Sequence, residues 1–174
     1  MATREGLVTL KGNPIGICGN EVNAGASAPD ATLVANDLSE QKISDHAGKV
    51  VILSVVPSLD TGICDTSTRR FNEEAAGLGD DVVILTVSRD LPFAQTRWCG
   101  AAGVEQVVTL SDFRTGEFGE NYGLIIADGP LAGVLARAVL VIGKDGVIAY
   151  QELVPEIAQE PNYDAALAAA KAAL

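Results

Sequence analysis

Two apolar runs limit what this chain can become. Lys49 to Val56, KVVILSVV, and Asp81 to Ser88, DVVILTVS, are nearly unbroken stretches of β-branched and aliphatic residues. Runs this short, apolar at consecutive positions, read as strands buried on both faces, as at the centre of a parallel sheet. Between them the apolar positions follow a helical period from Ile63 to about Leu78, with Gly77 and Gly79 placed to end the helix. Strand, helix and strand in that order imply a right-handed crossover. The fold class is therefore α/β.

The junction between the first run and the helix is PSLDTGICDTSTRRF, Pro57 to Phe71. Pro57 cannot continue a ladder and stops the strand, while Asp60 and Thr61 are cap-type residues. With Thr61 as N-cap, Cys64 falls at N3, in the first turn. The amides of that turn lack partners inside the helix and point at any anion held there, and a thiolate is one. Cys64 also shares helical spacing with Ser67, Thr68, Phe71, Ala75 and Leu78. Two readings stand together here, an inert cysteine of the buried stripe and an activated nucleophile.

The remaining segments fill in around this unit. Leu7 to Leu10 and Ile15 to Cys18, joined by Lys11-Gly12-Asn13-Pro14, predict an amino-terminal β-hairpin. Glu21 to Pro29 reads as loop, and Thr32 to Ala35 and Gln41 to Ile43 as short strands. Pro92 opens a short helix that carries Trp98 and Cys99 and is flanked by Gly100 and Gly103. Both Trp98 and Cys99 could be packing residues. Gln106 to Leu110 is strand-like, and helical turns follow toward Tyr122. Gly143 to Gly146 turns between two further strands, and Tyr163 to Leu174 is an alanine-rich helix. Arg137 interrupts the apolar run VLARAVLVIG. A buried unpaired cation is costly, so Arg137 either reaches a strand-edge salt bridge or meets an anion such as a thiolate.

Length and charge narrow the function. A chain of 174 residues suits one domain and can bury about 70% of its unfolded surface without disulfide staples. A net charge of −11 argues against a sequence-independent hold on nucleic acid or an anionic membrane. The amino terminus, MATREGLVTLKGNP, has no apolar core of signal-peptide length, and no run is long enough for a transmembrane helix. The cytoplasm is the expected compartment. Three cysteines without a C-x-x-C pair, and a single histidine, His46, predict neither a metal site nor a cofactor. His46 lies between turn residues and is expected to be solvated, which weighs against a cysteine hydrolase that would need an imidazole. Cys18, with no cap or cation nearby, reads as a spectator.

Pro57, Thr61 and Cys64 match P-x-x-x-T-x-x-C, and SRDLPFAQTRWCG (Ser88 to Gly100), ADGPL (Ala127 to Leu131) and ARAVLVIG (Ala136 to Gly143) follow in order. Over nearly its whole length the chain resembles the bacterial thiol peroxidases, the atypical two-cysteine peroxiredoxins. The resemblance implies a thioredoxin-like α/β sandwich with a mixed central sheet, flanking helices and the added hairpin. It implies that Cys64 is the peroxidatic cysteine and Cys99 the resolving one, joined in an intramolecular disulfide during turnover. Thr61 and Arg137 would hold and polarise the hydroperoxide, and Pro57 would shield the sulfur from water. Thioredoxin as reductant and a homodimer are further implications. A redox-inactive thioredoxin-like binding module and a dithiol oxidoreductase are the alternatives, and peroxide consumption separates them.

Overall fold

The computed structural model describes residues 1–174. Its centre is the predicted crossover. Strand β5 (Val50–Val55) is buried at every position and lies parallel to β6 (Val82–Ser88), Val50 opposite Val82 through Val55 opposite Val87. Helix α1 (Gly62–Ala75) joins them. It stops three residues before the expected Leu78, with Ala76 as C-cap, and the left-handed conformation falls on Gly79 beyond the helix.

Around β5 and β6 lie β3 (Thr32–Ala35), β4 (Glu40–Lys42), β7 (Val108–Ser111), β9 (Ala138–Ile142) and β10 (Ile148–Leu153). Together they form a seven-stranded sheet in the order β10-β9-β5-β6-β7-β3-β4. Pairing is parallel for β5·β6 and β6·β7 and antiparallel elsewhere, so the sheet is mixed. The hairpin of β1 (Thr3–Leu10) and β2 (Asn13–Cys18) is present, and it forms a separate three-stranded sheet with β8 (Ile125–Ile126).

The two faces of the large sheet carry different cores. On one, Cys64 and Phe71 of α1, Trp98 of α2 (Pro92–Ala102) and Ala166 and Ala170 of α4 (Tyr163–Ala172) pack on Val50, Ile52, Ile84, Val139 and Val141. On the other, Phe118 of the short helix α3 (Glu117–Asn121) and Tyr122 just after it cover Leu33, Leu53, Val55, Leu85 and Leu110. Alternation along β5 sends successive side chains to opposite cores, which is why that strand tolerates no polar gap except Ser54. Burying a side chain such as Phe71 is worth about 2–3 kcal/mol.

His46 departs from expectation. It ends a 3-10 turn (Ile43–His46), and its ring is half-buried, with Nε2 shut from solvent and without a partner, beside a cleft of about 140 Å³ lined by Asp30, Ser44, Lys49 and Ile142. Burial holds the imidazole below its ordinary pKa of 6.5, outweighing the pull of Asp45. The neutral form is thus the one the fold accepts. As the pH falls through 6.5 the unfolded chain takes the proton first, and stability is lost. Denaturant unfolding at neutral and mildly acid pH is expected to show a smaller pH dependence in His46→Gln, and an unchanged dependence would contradict this account.

Candidate active site

The site forms where β5 hands over to α1. Pro57 is buried, and the loop after it is fastened by Asp90, at the end of the neighbouring β6. The Asp90 carboxylate accepts from Ser58 Oγ at 2.7 Å, Leu59 N at 2.8 Å and Ser88 Oγ at 2.8 Å. Because β5 and β6 are parallel neighbours, their ends abut, and one carboxylate can brace both. The first intrahelical amide to find an acceptor is that of Asp65, on Thr61 O at 2.9 Å. The amides of Gly62, Ile63 and Cys64 precede it, at the positive end of the helix.

Cys64 has no exposed surface. Thr61 is the N-cap residue, but its hydroxyl makes no capping bond to the helix amides. Instead Thr61 Oγ1 lies 2.7 Å from Cys64 Sγ and 2.9 Å from Ser58 O. One hydroxyl proton serves one of these at a time. With a neutral thiol, S–H donates to the hydroxyl, which donates onward to the carbonyl; with a thiolate, the hydroxyl turns and donates to the sulfur. The arrangement therefore accommodates either state of the sulfur.

Arg137 reaches the same sulfur from 73 positions away. It sits just before β9, only 2% exposed, and its Nη2 donates to Cys64 Sγ at 3.3 Å. Its Nε donates to Ile157 O at 3.0 Å, and its Nη1 is buried without a partner. None of the ion pairs in the protein includes it. Of the two alternatives for this arginine, the strand-edge salt bridge is not what forms. A desolvated cation whose acceptors are one carbonyl and one sulfur finds its counter-charge only if the sulfur is an anion.

Cys99 is near the far end of α2, partly buried, with Sγ 3.6 Å from Thr109 Oγ1. Its groove is lined by Asn36, Gln41, Glu105 and Val108, whereas the opening over the first turn of α1 is lined by Leu59, Thr61, Gly62, Asp65 and Trp98, with Cys64 itself buried beneath the surface. Both cysteines are free thiols. Cys99 follows Pro92, the first residue of α2, by seven positions, about 10 Å along the axis. The two helices are stapled together: Trp98 Nε1 donates to Asp65 Oδ1 at 2.9 Å, and Arg69 binds Asp65 at 2.9 Å and Ala102 O at 3.1 Å. Gly103 ends α2 in the left-handed conformation. Cys18 lies at the end of β2, paired with Ile125, in the small sheet.

Of the residues the resemblance gathered at one site, the structure sets Thr61 and Arg137 against Cys64, with Pro57 buried at the end of β5 and Cys99 apart on α2; Ser58, Asp65, Asp90 and Ile157 were not singled out. Asp90 stood inside the quoted SRDLPF and could have been found by aligning the ends of the two parallel strands. Ile157 contributes only a carbonyl, for which no residue type gives a signal.

Fold and site define a class, a thiol-based redox protein of thioredoxin-like architecture. The Redoxin family matches residues 23–167. A thiol peroxidase of Halalkalibacterium halodurans is 54% identical over 96% of this chain and 98% of its own, and one of Mycobacterium bovis is 55% identical over 93% and 96%. The crystal structure of a peroxiredoxin-like protein from Aquifex aeolicus superposes with a TM-score of 0.92 at 44% identity, covering 98% of this chain and 99% of that one. This chain belongs to the Redoxin family, as one of its bacterial thiol peroxidases.

Proposed function

We propose that the protein reduces hydrogen peroxide and organic hydroperoxides with Cys64 as the peroxidatic residue. The observation that carries this reading is the buried Arg137 guanidinium donating to a buried sulfur with no carboxylate in reach. The helix end and the arginine both favour the thiolate, a charge-assisted bond of this kind contributing about 1.5–3 kcal/mol. The thiolate attacks one peroxide oxygen, the O–O bond breaks, and the departing oxygen leaves as alkoxide or hydroxide and takes up a proton. Cys64 is left as a sulfenic acid. Arg137 Nη1, the Thr61 hydroxyl and the first-turn amides are the donors for charge on the departing oxygen. Pro57 and the closed surface keep competing water away.

Cys99 then attacks the Cys64 sulfenic acid, forming a disulfide and releasing water across a loop of 35 positions (99 minus 64). A disulfide needs Cα atoms within about 7 Å, but Cys64 Sγ is shut in the core between Thr61 and Arg137 while Cys99 Sγ lies against Thr109, in a groove that Cys64 does not line. The helix carrying Cys99 must therefore unwind, and the bonds from Trp98 and Ala102 to α1 must part. Gly100 and Gly103 make α2 the easier helix to open. Thioredoxin as the reductant, a homodimer and a cytoplasmic location rest on family membership; no helix is long and apolar enough to cross a membrane.

Cys99→Ser tests the second half of the cycle. It is expected to consume about one equivalent of peroxide per chain and then stall with thioredoxin, and mass spectrometry of the oxidised parent is expected to find Cys64 linked to Cys99. Sustained turnover by Cys99→Ser, or a different linked pair, would defeat the pairing.

A further inference from the structure

Arg137 is aimed by two acceptors, and only one of them is independent of the reaction. That one is the carbonyl of Ile157, in the irregular segment after β10, where a backbone oxygen is only as fixed as its loop. The loop has an unusual fastening. Thr9 N donates to Pro155 O at 2.8 Å and Ile157 N to Thr9 O at 2.9 Å, so the loop docks on the end of β1. The carboxylate of Glu156 closes the joint from both sides. Its Oε2 accepts from Thr9 Oγ1 at 2.6 Å and Gly12 N at 3.1 Å, and its Oε1 from Lys11 N at 2.9 Å and Ala158 N at 3.1 Å. Ile157, between the residues so held, buries its side chain with Val8, Ile15 and Ala136, and Val154 N returns to Arg137 O at 3.0 Å.

We propose that Glu156 is a positioning residue for the reaction at Cys64, acting through the Ile157 carbonyl that aims Arg137, with the amino-terminal hairpin turn as its anchor. This rests on the reading of Cys64 and Arg137 given above. The appended hairpin thereby has a part in catalysis without touching the substrate. The carboxylate is suited to the task because the Thr9 hydroxyl, and then the amides of Ala158, Gly12 and Lys11, hold its pKa down to about 2. The folded protein keeps it ionised far below neutral pH, and the stability its tether contributes is lost as the pH falls from the unfolded value of 4.5 toward 2.

The test compares Glu156→Ala, Glu156→Gln and Arg137→Met in a background where Cys18 and Cys99 are serine, so that thiolate absorbance titrated against pH reports Cys64 alone. Peroxide kcat/KM is measured in the matching variants that keep all three cysteines. Glu156→Ala is expected to move the thiolate titration upward, in the direction of Arg137→Met, and to lower kcat/KM by about 10-fold, since sub-ångström misplacement of a reacting group costs rate steeply. Glu156→Gln keeps one accepting oxygen and is expected to recover part of both. A merely structural residue would lower the melting temperature and leave the titration where it was, and that result overturns the proposal. If Arg137→Met itself leaves the titration unmoved, the reading of the site has failed and the tether falls with it. Should Glu156→Ala not fold, Thr9→Val removes one of the four bonds to the carboxylate, and the absence of a smaller upward shift refutes the tether equally.

Discussion

Cys64→Ser is expected to abolish hydroperoxide reduction, with a fall of about 10⁴-fold or more in kcat/KM. A hydroxyl is close in size to the thiol and can keep the contacts to Thr61 and Arg137, so the fold is expected to survive. It will not ionise near neutrality under the influence of one guanidinium and one helix end, and a neutral oxygen does not displace oxygen from a peroxide. Stopped-flow peroxide consumption decides the matter. Turnover near the parental rate would mean that the buried sulfur belongs to the core stripe after all, the reading its helical spacing with Ser67, Thr68 and Phe71 also allowed.

Arg137→Met is expected to carry the second-largest effect, a loss on the order of 10²–10³-fold in kcat/KM, comparable to removing a donor aimed at developing charge. The same substitution removes a buried cation that takes part in none of the carboxylate ion pairs, and the sulfur it leaves behind can take a proton, so thermal stability is expected to hold or rise. That separation of activity from stability makes the variant diagnostic. Arg137→Lys is not expected to restore the rate, because a single ammonium cannot bond Ile157 O and Cys64 Sγ with the geometry of a planar fork. A variant without the guanidinium that still reduced peroxide at nearly the parental rate would remove the electrostatic basis of the mechanism.

These two side chains illustrate how unevenly the site was written in the chain. Cys64 could be placed in the first turn of a helix from neighbours within seven positions, because strand ending, capping and helical periodicity are local properties. The partner of Arg137 could not be read from spacing, which showed a charge that had to be compensated and offered two ways of doing so; only the family resemblance pointed to the sulfur. Only the antiparallel pairing of β9 with β5, Ala138 opposite Val55, brings the residue before β9 to the end of β5 where Cys64 waits. Thr61 shows a subtler difference. It is an N-cap by position, as expected, yet its hydroxyl serves the sulfur in place of the helix amides.

The outer parts follow the same division. The hairpin was legible from Lys11-Gly12-Asn13-Pro14, but its attachment to Glu156 spans more than 140 positions and leaves no periodic trace. His46 was expected in solvent because it sits among turn residues; its ring is instead half-buried, Nε2 turned from solvent at a cleft that Val51 and Ile142 also line. Cys99 was placed on its helix correctly, while its orientation toward Thr109 and the Asp65–Trp98 bond that holds α2 shut came only with the packed structure.

Strands, the crossover helix and the first-turn cysteine were determined by the chain itself, since each depends on backbone sterics and apolar spacing over a few residues. Which cation faces the sulfur, what aims that cation, and how far the second thiol stands from the first were decided by tertiary packing. Those relations join groups whose separation along the chain carries no energetic signal until the sheet has closed between them.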